Sequence, residues 1–462
     1  MAQPTSSPAR RPRKVLRAIL VVLLVAVLAA GAGVGWWLFE NRADPVPAGT
    51  PARPAAMTFA PTVKSVPSTA PEPTANGVQK AMAKALKDPM LGEFTGQVSD
   101  PLTGEVLWSQ GADTPRVPAS NAKILTASAV LLELPHDARI TTKVVLGADG
   151  QAILVGAGDP TLTTASAGEP SFYSDPARIA DLAAAIKKSG KQITSVAVDT
   201  SLFTGPGMQK TWDKRDIEGG DIAPMSALTV DGARLKPLDE YSPRTDDPAL
   251  AAGRALADEL GLNSQVTEVT APSGAPTIAT VKSAPLTVRV GDMMRFSDNV
   301  LAEQLAIELS VATGGEASIE GGAHAVLATL QKNKFDVEGT VLVDASGLSY
   351  SDRVTASLLD ELMSAAAGNG QPALRSLLDS LPVAHGTGTL TDRFDPDKTN
   401  GAGWIRGKTG TLTGVSSLTG IVQTVDGRVL AFAMISGGTS PADARPAVDA
   451  VVGTLRDCGC RT

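Results

Sequence analysis

Residues 118–132 read PASNAKILTASAVLL, and the rest of the chain is organised around them. Ser120 and Lys123 lie three positions apart at the start of this stretch, so on a helix the two side chains would share one face. The apolar run that follows predicts a helix buried nearly all round, with only its first turn open to solvent. A serine hydroxyl beside a lysine amine pairs a nucleophile with a candidate base. This spacing alone is common in proteins, and further motifs are needed to assign a function.

Two further motifs follow in chain order. Ser297, Asp298 and Asn299 precede an apolar helical run, and residues 408–411 (KTGT) lie in a strand-like segment. A Ser-x-x-Lys motif followed by Ser-Asp-Asn and Lys-Thr-Gly occurs in penicillin-binding proteins and in class A β-lactamases. Together the three motifs predict an enzyme that forms an acyl intermediate on Ser120.

Segments around these motifs resemble one family. They are residues 158–162 (GDPTL), 344–349 (DASGLS), 388–390 (GTL) and 408–414 (KTGTLTG). With the motifs, they are similar to the class C low-molecular-mass penicillin-binding proteins, which are D-alanyl-D-alanine carboxypeptidases and endopeptidases of the S13 peptidase type. The resemblance implies an α/β (α+β) fold: a penicillin-recognising, serine transpeptidase/β-lactamase-like domain with an antiparallel sheet flanked by helices. It also implies peptidoglycan stem peptides as substrates, β-lactams as inhibitors and no cofactor.

Five residues are expected to carry the chemistry. A serine attacks only when a base takes its proton, so Lys123 would be the general base for the nucleophile Ser120. Its pKa would have to fall from the usual value of about 10.4, through desolvation and the nearby charge of Lys408. Ser297 would relay a proton to the leaving amine, and Asn299 would hold both Lys123 and the substrate backbone.

Other residues are expected to bind the substrate. The peptide would lie antiparallel to the strand at Thr409, Gly410 and Thr411, with the glycine leaving room for close approach. The two threonine hydroxyls and Lys408 would hold the terminal carboxylate. The family resemblance also implies that the N–H at Thr411 enters the oxyanion hole with that of the serine, and that Ser346 lies in a loop near the cleft.

Asp199 has two interpretations. It ends a predicted strand, and its segment resembles one in which an aspartate meets the amino group of the diamino acid of the stem peptide. The alternative is that Asp199 only caps the turn before Thr200.

The composition limits the partners. The 462 residues carry a net charge of −7 and are 43% hydrophobic. Because five basic residues and no acidic ones precede position 40, the main body is more acidic still. Nothing resembling a basic stripe follows, which argues against nucleic acid as a partner. The three histidines are scattered and the two cysteines stand at the C-terminus, so we expect no metal site.

The N-terminal region predicts a membrane anchor. Residues 18–39 carry no charge and are long enough, at ~1.5 Å per residue, to cross a bilayer. The basic residues before them place a tail at 1–17 in the cytoplasm, which puts the catalytic domain on the extracytoplasmic (periplasmic) side. A Pro-rich linker at 40–76 would act as a spacer. A cleaved signal peptide with secretion is the alternative, since residues 30–32 (AGA) are small.

The spacing of the motifs predicts an insertion. Strand-like and helical runs alternate between Ser120 and Ser297, so residues 140–285 are expected to form a separate, inserted α/β domain. The peptidase domain would then comprise residues 77–139 and 286–462. Further strands are expected at 340–344, 403–409, 416–423 and 429–436.

Two other functions fit the sequence less well. A β-lactamase of the class A type needs a glutamate to hydrolyse its acyl-enzyme, and no Glu-x-x-Leu-Asn-like stretch lies between Ser297 and Lys408. A catalytically idle wall-binding module would gain nothing from a lysine placed beside a serine.

Overall fold

A computed structural model of the protein describes residues 70–458. The predicted basic tail, the predicted transmembrane helix and most of the Pro-rich linker lie outside the described residues. Among the residues that are described, no helix is long and apolar enough to cross a membrane.

Ten strands form from the described residues and make two sheets. In chain order they are β1 (Glu93–Asp100), β2 (Glu105–Gln110), β3 (Thr141–Leu146), β4 (Gln151–Val155), β5 (Ser195–Asp199), β6 (Thr267–Glu268), β7 (Thr277–Lys282), β8 (Ile405–Leu412), β9 (Val415–Gln423) and β10 (Val429–Gly437).

Helices cover the sheets. In chain order along the described residues, the α-helices are α1 (Ala75–Met82), α2 (Ala122–Glu133), α3 (Ile179–Lys188), α4 (Arg215–Gly219), α5 (Pro248–Leu260), α6 (Leu286–Phe296), α7 (Asn299–Ala312), α8 (Ile319–Lys332), α9 (Ala356–Ala367), α10 (Arg375–Ser380) and α11 (Pro441–Asp457).

The first sheet has the strand order β2-β1-β10-β9-β8, and each neighbouring pair is antiparallel. This confirms the expected mixed α/β architecture with an antiparallel sheet.

Residues along α2 from Ala122 to Leu131 are all buried, and they pack with α6, α7, α8 and α9 in one apolar core. Strand β8 is an edge strand, so its outer side is open beyond the short pairing of Arg406 with Val383.

The second sheet has the order β6-β5-β4-β3-β7, and all its strands come from the region expected to be inserted. β4 pairs in parallel with β5, and β5 with β6, whereas β3 is antiparallel to both of its neighbours. Helices α3 and α5 cover it with an apolar core of their own. The boundaries of the inserted domain stay a prediction.

One expected strand is wrong. Residues 340–344 form only an isolated bridge, between Val341 and Arg353. The chain curls here because the Asp344 carboxylate accepts bonds from the main-chain N–H groups of Ser346, Gly347 and Ser349. Local capping of this kind competes with the ladder of a strand.

Candidate active site

Ser120 lies in a tight turn before the buried helix. The turn is a 3-10 segment, Ala119–Asn121, and α2 follows it directly. Ala119 has φ of 49°, a left-handed conformation that a non-glycine residue adopts only when its surroundings hold it there. The i,i+3 relation predicted from the sequence is present, since Lys123 Nζ lies 3.1 Å from Ser120 Oγ.

Lys123 makes two further hydrogen bonds. Its Nζ donates to Asn299 Oδ1 at 2.6 Å and to the main-chain oxygen of Ser346 at 2.7 Å. Neither acceptor can donate a proton in return. The amine is thus held between two fixed acceptors and the Ser120 hydroxyl.

Burial controls the charge of Lys123. The side chain has no solvent exposure, and this burial lowers the pKa of Lys123 to about 8 against the opposing charges of Asp344, Glu303, Asp298 and Asp221. A fraction of the Lys123 amine is therefore neutral near neutral pH. Of the two causes expected from the sequence, desolvation and the charge of Lys408, desolvation is the main one.

The Ser-Asp-Asn motif forms the turn between α6 and α7. Ser297 has φ of 54°, and Asp298 caps α7 by accepting from the Leu301 N–H at 2.9 Å. The other Asp298 oxygen accepts from Arg234 at 2.7 Å and from Tyr173 at 2.9 Å. Asp298 thus has a structural role, while Asn299 contacts Lys123 and Ser297 contacts Lys408.

Lys408 lies on the open edge strand β8. It is fully buried, and its Nζ donates to Ser297 Oγ at 2.8 Å and to the Thr409 carbonyl at 2.7 Å. Burial, together with the charge of Lys123, lowers the pKa of Lys408 well below its usual value. The Thr409 hydroxyl donates to Thr389 at 2.8 Å. All three motifs therefore meet at one site.

Two glycines allow this convergence. A Cβ on Gly410 would lie 2.7 Å from the Pro118 oxygen and 3.1 Å from the Ser120 nitrogen, so β8 passes directly over the serine turn. Gly347 has φ of 79°, and a Cβ there would lie 1.9 Å from the Ala119 oxygen. At both glycines, the missing side chain allows the protein's own backbone to come close.

A known family matches almost the whole described region. The model of the D-Ala-D-Ala carboxypeptidase 3 (S13) family matches residues 78–243 and 238–458. The chain belongs to the S13 family. The resemblance found from the motifs is thereby confirmed, and this S13 protein is an enzyme of the D-Ala-D-Ala carboxypeptidase type.

Relatives and solved structures agree. The S13 protein is 48% identical over 419 residues to a carboxypeptidase of Mycobacterium tuberculosis, covering 88% of this chain and 91% of that one. It is 46% identical over 460 residues to carboxypeptidase DacB of Mycolicibacterium smegmatis, covering 98% and 99%. The crystal structure of penicillin binding protein 4 from Haemophilus influenzae shares its fold, with a TM-score of 0.68 at 20% identity over 84% of this chain and 99% of that one.

The residues expected to bind the substrate differ in their burial and in their hydrogen-bond partners. Thr411 is half-buried on β8, and its hydroxyl accepts from Arg445 at 2.9 Å. Ser346 is fully buried, so it meets Lys123 through its carbonyl and its hydroxyl is turned away from solvent. Asp199 is 5% exposed, and its two oxygens accept from the N–H groups of Ser201 and Ala271. The capping alternative accounts for these contacts of Asp199.

Sequence reasoning missed a cluster of buried carboxyl groups. Glu303 accepts from the main-chain N–H groups of Ala345 and Ser346, immediately behind Lys123. Burial and the charge of Asp344 raise the pKa of Glu303 to about 8, and the same two causes raise the pKa of Asp352 to about 10. A signal was present, because Glu303 interrupts an apolar helix four residues after Asn299 and therefore on the same face.

Proposed function

We propose that this S13 enzyme is a serine D-Ala-D-Ala carboxypeptidase and/or DD-endopeptidase that cleaves peptidoglycan stem peptides through an acyl-enzyme on Ser120. The observation that carries the proposal is the contact set of the Lys123 amine. A neutral lysine has two N–H groups and one lone pair. Asn299 Oδ1 and the Ser346 carbonyl take the two N–H groups, which leaves the lone pair for the Ser120 hydroxyl.

Acylation would begin with this proton transfer. Lys123 takes the proton as Ser120 Oγ attacks the carbonyl carbon between the two D-alanines, and the N–H groups of Ser120 and Thr411 stabilise the oxyanion. Ser297, held by Lys408, then passes a proton to the leaving amine. Water hydrolyses the ester in the second half of the reaction. The hydroxyls of Thr409 and Thr411 would bind the terminal carboxylate.

β-Lactams should trap the same serine. Incubation with benzylpenicillin followed by peptide mass spectrometry should find one adduct, on the peptide that contains Ser120. S120A should remove the adduct. S128A is the matched control, because it makes the same chemical change in the helix that directly follows the serine turn. An adduct on another residue, or none on the wild type, would overturn the proposal.

Family membership favours the peptidase over the β-lactamase and wall-binding alternatives.

The location of the enzyme is part of this proposal. Residues 18–39 would anchor the chain, with the catalytic domain on the outer face of the cytoplasmic membrane next to its substrate. Fractionation should leave the full-length protein in membranes after a high-salt wash. Release of a soluble chain that begins near residue 33 would favour the cleaved signal peptide instead.

A further inference from the structure

The carboxylate-binding end of the site has a cation that the motifs do not include. Arg445 lies in the first turns of α11 and donates from Nη2 to Thr411 Oγ1 at 2.9 Å. The guanidinium is on the exposed surface and extends to the strand along which the substrate is proposed to lie. A threonine hydroxyl that accepts one bond can still donate its own proton to a ligand.

Arg445 makes no ion pair with an acid among the described residues, although the charge of Asp449 acts on it. Asp449 is one turn further along α11, where a paired acid would be expected. Both of its oxygens accept instead from Arg393, at 2.7 and 2.5 Å. Burial and the charge of Arg393 lower the pKa of Arg445, but a guanidinium stays charged. An unpaired positive charge beside Thr411 thus borders the site.

Arg445 also acts electrostatically on Tyr241, which lies in the region between the motifs. Tyr241 is 71% exposed. Partial desolvation and the charge of Glu240 raise the pKa of Tyr241, while the charge of Arg445 lowers it. The charge of Asp221 acts on the same hydroxyl, and the Asp221 carbonyl accepts from the Asn299 amide. Arg445 is thus within electrostatic range of a loop that reaches the Ser-Asp-Asn turn.

We propose that Arg445 is a specificity-determining residue that selects substrates with a free terminal carboxylate. The inference rests on the proposed function. Arg445 attracts the anion to the site and polarises the Thr411 hydroxyl, so that this hydroxyl becomes a stronger donor to the carboxylate. The bidentate guanidinium is free to turn from the hydroxyl to the carboxylate itself.

Two acyl donors separate this role from a structural one. The first is an acyl-D-alanyl thioester of thioglycolate, which has a carboxylate in its leaving group, and the second is the methyl ester of the same compound. In R445Q, KM for the first should rise roughly 10- to 100-fold with kcat nearly unchanged, because one charge-assisted contact is lost. Turnover of the methyl ester should stay at the wild-type level. For the donor with the free carboxylate, KM of R445K should lie between the values of the wild type and R445Q.

The control is R254Q, which removes an equal charge from the exposed face of α5. It should leave both donors unaffected. Equal losses for the acid and the methyl ester in R445Q, or no loss for either, would overturn the inference while leaving the proposed function in place. Absence of any Ser120-dependent hydrolysis by the wild type would overturn the proposed function, and the inference with it.

Discussion

Lys123 shows at the scale of a single residue how burial lowers the pKa of the amine that we propose as the base. Its pKa of about 8 results from desolvation, with Glu303 among the charges that raise it. The amine is neutral above this pKa, so the acylation rate should rise with pH through an acid limb near 8. A lysine that remained at its usual pKa would leave almost no neutral amine at pH 7.

E303Q tests which charges set this limb. The amide of the variant would keep an oxygen to accept from the Ala345 and Ser346 N–H groups. It cannot take up the negative charge that Glu303 acquires near pH 8, the range in which Lys123 also titrates and in which that charge raises the pKa of Lys123. The acid limb of penicillin acylation should therefore move to lower pH, by roughly 0.5–1 unit. E316Q, on the exposed surface, should leave the profile unchanged. A limb that stays in place or moves upward would show that Glu303 does not act on Lys123.

Asp199 provides a second prediction at this scale. Since its oxygens accept from the Ser201 and Ala271 N–H groups, D199N should lower the free energy of unfolding by about 1–3 kcal/mol. We expect it to slow cleavage of a stem peptide with a free amino group, of an acetylated D-Ala-D-Ala peptide and of penicillin to the same extent. Selective slowing of the first substrate would support the hypothesis that Asp199 contacts the diamino acid.

At the scale of elements, the site depends on the loop after Asp344 packing on the serine turn. Gly347 has φ of 79°, and a Cβ added to it would lie only 1.9 Å from the Ala119 oxygen. The same loop supplies the Ser346 carbonyl to Lys123. Displacement of this loop would therefore disturb the proposed nucleophile Ser120 and its proposed base Lys123 together.

G347A should reduce penicillin acylation by about 100-fold or more, since sub-ångström misplacement of reacting groups is costly. G274A is the control, because Gly274 has nearly the same φ, 75°, but open space around it. It adds backbone strain of about 1 kcal/mol without a clash. If both variants acylated at the wild-type rate, the contact between the loop and the serine turn would have no catalytic importance.

At the scale of the whole molecule, the region between the motifs contributes directly to the site. Arg234 lies in this region and Asp298 in the Ser-Asp-Asn turn, and their side chains are 1% and 0% exposed. Burial would raise the pKa of Asp298, but Arg234 and Arg244 outweigh it and hold that pKa below its usual value. The ion pair therefore contributes its full stabilisation at neutral pH. This contribution declines as the pH falls below about 4, where the unfolded chain takes up the proton, and it is lost when the pH passes the lowered pKa of Asp298.

R234M should lower the free energy of unfolding by about 3–5 kcal/mol, because it leaves the Asp298 carboxylate buried and unpaired. Penicillin acylation should slow in the same variant, as the Ser297 turn loses its support. The double variant R234M/D298N should recover part of the stability, since the buried carboxylate charge that R234M leaves without its ion-pair partner is also removed. K236M, in the exposed loop nearby, is the control. Equal stability of R234M and wild type, measured by denaturant unfolding, would contradict this account.

The sequence by itself determined the chemistry and most of the elements. Residues three positions apart on a helix share one face, so the contact between Ser120 and Lys123 followed from local geometry. The C-terminal strands were also predictable, because short strand-like runs separated by turns define β8, β9 and β10 without reference to distant residues. The motifs identified the family for the same reason, since each is a short, contiguous segment.

Only the tertiary structure decided what surrounds these motifs. The partners Glu303 and Ser346, Arg234 and Asp298, and Arg445 and Thr411 are far apart in the chain, and no local pattern specifies which pairs will meet. The lowered pKa of Lys123 likewise comes from the burial of its amine, which depends on how α2, α7 and the loop after Asp344 pack together. Desolvation belongs to the packed assembly, and the order of residues along a helix does not fix it.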